Sequence, residues 1–113
     1  MTRADTEHLQ STYAELGCTT GRMLDAALEG RWEDLVALER QCAELIATMS
    51  RLETEDPLPE SVRASKVTMI RKVLADDAAI RNITEPWLQQ LGSMLGANRH
   101  SQRLLRTYGP AGD

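Results

Sequence analysis

Residues 60–96 read ESVRASKVTMIRKVLADDAAIRNITEPWLQQLGSMLG, and the apolar positions recur at steps of three and four throughout. That spacing is the period of an amphipathic helix, not of a strand. Stepping about 100° per residue from Ile70 places Val67, Leu74, Leu88 and Leu95 on one shoulder of such a helix. Met69, Ile80, Ile83, Trp87 and Met94 fall on the other shoulder, with Val73 and Leu91 between them. The apolar arc is roughly 200° wide, where a helix packed on one side needs only a little over ~100°. A second partner is therefore implied. Pro86 lies inside the stretch and would ordinarily break or kink it, at a cost of about 3 kcal/mol. The apolar phase nevertheless continues from Ile83 and Thr84 to Trp87, Leu88 and Leu91 without a slip, which predicts one long kinked helix.

The chain before this stretch predicts a helical hairpin. Thr2 and Asp5 are candidate caps for a first helix, on which Leu9, Tyr13, Leu16, Thr20, Met23, Leu24 and Ala27 form a narrow stripe facing one neighbour. Gly17 and Gly21 either allow another helix to approach closely or mark a weak point, since each costs up to about 1 kcal/mol relative to Ala. Gly30 is the expected left-handed stop. A second helix opens at Trp32 with Glu33 and Asp34 in its first turn. It places Trp32, Leu35, Leu38, Cys42, Leu45, Ile46, Met49 and Leu52 toward one side. The segment from Glu53 to Pro59 holds two prolines and three acids and reads as a linker, with Pro59 opening the third helix.

After it, Gly96-Ala97-Asn98 reads as a stop and a new cap, and Arg99 to Tyr108 as a short fourth helix. The expected architecture is all-α: an antiparallel three-helix bundle with a long kinked third helix and a short C-terminal fourth helix, in a single domain spanning residues 1–113. The third helix, about 55 Å long against about 35 Å for the earlier arms, should overhang them by some four turns. Residues 98–113 would be a movable segment able to dock on that overhang, with a disordered end after Gly109.

Composition agrees with helix: there is no Phe, aromatics are 4%, and Leu, Ala, Met and charged helix formers dominate. The net charge of −4 is unevenly spread. Residues 1–59 carry five Lys/Arg against twelve Asp/Glu, and residues 60–113 carry eight against five. The two halves can attract each other, and the basic half can also face an acidic partner. The overall balance argues against broad nucleic-acid binding. No window approaches the ~18 apolar residues of a membrane span, and the amino terminus lacks an apolar signal core, so a cytoplasmic location is expected. Cys18 and Cys42 show no CxxC spacing and read as free thiols.

Little points to catalysis. His8 and His100 are far apart and lack the spacing of a zinc site. Asp76 and Asp77 diverge by ~100° as adjacent helical residues and cannot jointly grip a metal. Asp76 projects toward the Met69 shoulder and Asp77 toward the central apolar stripe, where Arg81 at i+4 would be its partner if it were buried. No phosphate loop or nucleophile elbow is present, so neither enzyme activity nor a cofactor is expected. An arginine-lined pocket for an anionic metabolite would need convergent Arg, Lys and acid positions, which the spacing does not supply. A helix-in-groove binding site on the wide third helix is the better reading.

Taken together, the order of these features resembles the flagellar export chaperone FliT family. The residues that carry it are Gly30-Arg-Trp32, the acidic start of the second helix, the proline-containing linker, Leu91-Gly-Ser-Met-Leu-Gly96, and Leu104-Leu-Arg-Thr-Tyr-Gly109. The resemblance implies a cytoplasmic chaperone that binds the carboxy-terminal region of the filament-cap protein and prevents its premature assembly. It also implies contacts with the flagellar export gate and export ATPase complex, without insertion into a membrane. The alternative it carries is sequestration of the flagellar master transcription regulator. On matching positions it implies that Val67, Ile70, Leu74 and Leu88 contact the client and that Tyr108 docks to the export gate.

Overall fold

The computed structural model describes the backbone of residues 2–54 and 57–108, and side chains through residue 96. The described residues form three helices and no strand: α1 (Arg3–Leu28), α2 (Trp32–Leu52) and α3 (Glu60–Tyr108). The chain divides into two compact units, Met1–Arg81 and Asn82–Asp113.

Local chemistry sets the ends of α1. The Thr2 hydroxyl accepts the Asp5 backbone N–H at 3.1 Å, and the Asp5 carboxylate accepts the Thr2 N–H at 3.4 Å. This reciprocal capping box satisfies two amides that have no partner within the helix. At the other end Gly30 has φ 69°. Its N–H donates to the Ala27 carbonyl at 3.3 Å, and the Arg31 N–H donates to Ala26 at 2.8 Å. Those two bonds make a Schellman turn, which needs the left-handed residue that glycine supplies without strain. Arg31 then clamps the corner, its guanidinium donating to Glu29 at 2.6 Å and Asp34 at 2.7 Å. Past the linker, the Pro59 carbonyl accepts the first helical bond of α3, from the Arg63 N–H at 2.9 Å.

Within the first unit, α1 and α3 run in the same direction at a fixed register. Gln10 donates to the Ser65 hydroxyl at 3.4 Å, and Thr20 donates to the Asp76 carboxylate at 2.8 Å. Between these, the stem of Lys72 crosses α1 at Gly17, with Cγ 3.5 Å from where a Cβ would stand. Gly17 thus allows a close approach and does not mark a weak point. Helix α2 runs the opposite way: Tyr13, early in α1, donates its hydroxyl to Glu53, just past the end of α2. Lys66 at the start of α3 donates to the other Glu53 oxygen at 2.9 Å. One carboxylate ties three segments.

The apolar core is built on Leu9, Tyr13 and Leu16 of α1 with Val62 and Met69 of α3. Cys42, Leu45, Met49 and Leu52 of α2, Leu58 of the linker and Val73 of α3 pack around it. The expected stripe on α1 is buried at Leu9, Tyr13, Leu16, Thr20 and Ala27, but the buried surface is wider than a single stripe. Thr12, Thr19 and Ala26 are buried on an adjoining side, because α1 has two neighbours instead of one. Threonine can be buried there since the Thr12 and Thr19 hydroxyls donate to the carbonyls of His8 and Glu15, each at 2.8 Å.

Two expected positions on α2 differ. Trp32 and Ile46 are exposed, although the periodicity of α2 turns both toward the core. They lie at the edge of a stripe about 160° wide, whose centre alone is covered by a neighbour. On α3 the buried carboxylate is Asp76, not Asp77. Asp77 is exposed and accepts from Arg81 at 2.6 Å, while Asp76 accepts from Thr20 and from Lys72.

In the second unit α3 passes through Pro86 as one helix, the continuity that the apolar phase predicts. Proline has no N–H, so the Asn82 carbonyl lacks its α-helical donor. The expected stop at Gly96 and separate fourth helix are replaced by helix running on to Tyr108. A glycine inside a helix costs only about 1 kcal/mol, too little to end it when the flanking residues favour helix. A continuous helix also cannot fold back upon itself. The side chains of residues 98–113, expected to cover the preceding apolar turns, lie outside the described residues. Residues 109–113, expected as a disordered end, lie outside the described residues.

Two predictions test the polar ties. Burial, then the hydrogen bond to Glu53, then its charge raise the Tyr13 phenol above its ordinary value of 10.0. The folded state thus prefers the neutral phenol, and the associated stability is complete below pH ~10 and lost as pH rises above it. Denaturant titrations should show a shallower alkaline loss of stability for Tyr13→Phe than for the parent. Thr20→Val removes a donor from a buried carboxylate without changing side-chain shape and should cost about 1–3 kcal/mol in urea unfolding. Thr20→Ser should restore most of it.

Candidate functional site

The geometry of α3 in the first unit resolves its apolar surplus into two sides. Val62 and Met69 are buried against α1, and Val73 packs on the same core. Val67, Ile70 and Leu74 point elsewhere: Met69 is 8% exposed, whereas Ile70, the next residue, is 40% exposed and Leu74 is 60% exposed. The 100° step between adjacent helical residues accounts for the contrast. Three large aliphatic side chains thus share one solvent-facing side within about two turns. Isolated exposed apolar residues are ordinary, but a contiguous set on one helix face is informative.

The charges around this strip are specific. Arg63 lies one turn before Val67, and Arg71 flanks the strip beside Ile70; both are exposed. Arg63 approaches Glu60 at 3.9 Å, with 59% and 93% of the two side chains exposed. The other cations in this part of α3 are held by nearby carboxylates: Lys66 by Glu53, Lys72 by Asp76 and Arg81 by Asp77.

In the second unit Leu88 is also exposed, as are Trp87, Leu91, Met94 and Leu95. Both sides of the apolar arc are open there. Tyr108 is the last helical residue, and its side chain lies outside the described residues. The sequence reading thus placed Val67, Ile70, Leu74 and Leu88 on exposed surface, but it missed a further set on α2. Trp32, Val36 and Ile46 are exposed together with Leu28 at the end of α1. Val36 lies off the core stripe expected on α2, and that is the signal the sequence offers for this set.

The groove between α1 and α3 has a volume of about 480 Å³ and is lined by Gln10, Tyr13, Ala14, Gly17, Thr68 and Lys72 among others. Its one cation is already held by Asp76. Among the described residues, no group of three or more His, Cys, Asp or Glu is placed to hold a metal ion. Cys18 is exposed and Cys42 half-buried, both as free thiols; burial and then Glu39 push the Cys42 thiol above its ordinary value. Among the described residues no helix is long and apolar enough to cross a membrane.

Comparison with known proteins gives one consistent result. The family model described as flagellar protein FliT matches residues 10–110. Flagellar protein FliT of Yersinia enterocolitica is 28% identical, over 91% of this chain and 86% of that protein. Its counterpart in Shigella sonnei is 23% identical, over 93% of this chain and 87% of that protein. The crystal structure of flagellar protein FliT from Bordetella bronchiseptica superposes with a TM-score of 0.68 at 28% identity, covering 76% of this chain and 97% of that one. With a family model matching nearly the whole length and a solved member sharing the helical arrangement, this chain belongs to the flagellar protein FliT family.

Proposed function

We propose that the chain is a flagellar type III export chaperone that binds the carboxy-terminal region of the filament-cap protein on the exposed side of α3. The observation that carries this reading is the contrast along one helix: Val62 and Met69 are buried in the core, while Val67, Ile70 and Leu74 remain open to solvent. A client segment laying its own apolar side chains along this strip would remove both surfaces from water, as amphipathic helices do in helix-binding grooves. Shielding that segment would also keep it from assembling prematurely.

Magnitude limits what the strip does alone. Burying the remaining exposed area of three aliphatic side chains contributes about 3–5 kcal/mol before the costs of association. A micromolar complex requires about 8 kcal/mol. Further contacts are needed, and Leu88 is proposed as one of them. Tyr108 is proposed, on the family resemblance, as the contact for the export gate. The function is binding and delivery, with no chemical step and no cofactor.

Leu74→Asp should abolish binding of the cap protein's carboxy-terminal region in calorimetry. Helicity by circular dichroism should be unchanged, because the side chain is largely exposed. Parent-like affinity in this variant would sink the assignment of the site. A pull-down from flagellated cells should recover the cap protein; recovery of the master transcription regulator in its place would favour sequestration over export.

A further inference from the structure

The strip on α3 is unevenly charged, and its charge carries information about the occupant. Between Glu60 and Arg81 the helix has five cations, of which Lys66, Lys72 and Arg81 each have a carboxylate within 2.9 Å. Arg63 has only the loose approach of Glu60 at 3.9 Å, and Arg71 has no ion-pair partner among the described residues. These two border Val67, Ile70 and Leu74. The remaining acid near the strip, Asp77, lies beyond Leu74 and is neutralised by Arg81 at 2.6 Å. One end of the strip is therefore cationic and the other balanced.

We propose that Val67, Ile70 and Leu74, with Arg63 and Arg71, form a docking strip for an amphipathic helical segment that carries acidic residues beside its apolar anchors. This rests on the reading that the exposed side of α3 receives a client, and it specifies that client's chemistry. The three anchors lie within about two turns and repeat at steps of three and four, which matches a partner helix using i, i+3 or i+4, and i+7 positions. Acidic residues on the segment should cluster over Arg63 and Arg71, because at the other end Asp77 already holds Arg81 and no free cation is offered among the described residues. The net charge of −4 does not oppose this. Fields from exposed charges are screened within roughly 8–10 Å at physiological salt, so the local rim dominates. The arginines contribute selectivity and encounter rate more than affinity, since exposed pairs are individually weak.

Two designed helical peptides test the proposal, with identical leucine anchors and either glutamate or lysine at the flanking positions. In fluorescence anisotropy with the full chain at low salt, the glutamate peptide should bind about tenfold more tightly than the lysine peptide, from two exposed pairs worth several-fold each. The preference should disappear at about 1 M salt. Arg63→Glu with Arg71→Glu should invert it, and Arg63→Gln with Arg71→Gln should erase it, with circular dichroism unchanged in both because the positions are exposed. Leu74→Asp should remove binding of both peptides at any salt. Equal affinity for the two peptides, binding of neither, or binding that survives Leu74→Asp would each overturn the proposal. None of these results would by itself remove the chaperone reading, which stands on capture of the cap-protein region in the separate calorimetric test.

Discussion

Helix α1 must satisfy two neighbours with one surface, and the rest of the first unit follows from how it does so. Its side toward α3 combines Leu9, Tyr13 and Thr20 with the narrow place at Gly17, where the stem of Lys72 crosses. The adjoining side buries Thr12, Thr19 and Ala26, which are small enough to admit a close neighbour, with the threonine hydroxyls satisfied within α1 itself. Apolar packing is dense around Leu9, Tyr13, Leu16, Val62 and Met69, and it thins toward the far end of the hairpin, where Ala26 and Ala27 replace large side chains.

Where the apolar core thins, polar ties set the register. The Thr20 hydroxyl stands 3.1 Å from the Gly17 carbonyl and 2.8 Å from the Asp76 carboxylate, and it has one proton to give. The charged acceptor at the shorter distance is the stronger competitor. Asp76 is therefore buried with two donors, Thr20 and Lys72, which offset the cost of removing a carboxylate from water. Polar bonds are directional, so a slip of one residue along α3 would orphan Asp76, whereas an aliphatic contact would tolerate it. At the opposite end, Glu53 performs a similar service for Tyr13 and Lys66.

That division of labour explains why α3 can offer apolar surface to a partner. It is held in the first unit by Val62, Met69 and Val73 and by the polar ties of Ser65, Lys66 and Asp76, all on one side of the helix. Val67, Ile70 and Leu74 are not needed for the fold, and their exposure leaves them available for binding. An apolar strip kept in water carries an aggregation hazard, and the flanking charges of Arg63 and Arg71 limit it while making the strip selective.

The helical class, both ends of α1 and the exposed shoulder of α3 were legible in the sequence because each depends on local chemistry or on a period of 3.6. Thr2 with Asp5, and Gly30 with its left-handed backbone, act within a few residues of themselves. The 200° apolar arc of residues 60–96 already required more than one neighbour, and the continuous phase across Pro86 already argued for one helix. Tertiary structure decided which carboxylate is buried, since only the packing of α1 makes the Met69 shoulder, where Asp76 lies, the covered side. It decided that α1, not α3, is the helix enclosed on two sides, because buried threonines and alanines give no apolar signal. It also decided that Gly96 does not end α3, since a glycine's cost of about 1 kcal/mol is only a local preference. The sequence determined which surfaces must leave water; which of them found a partner within the chain depended on the arrangement of its helices.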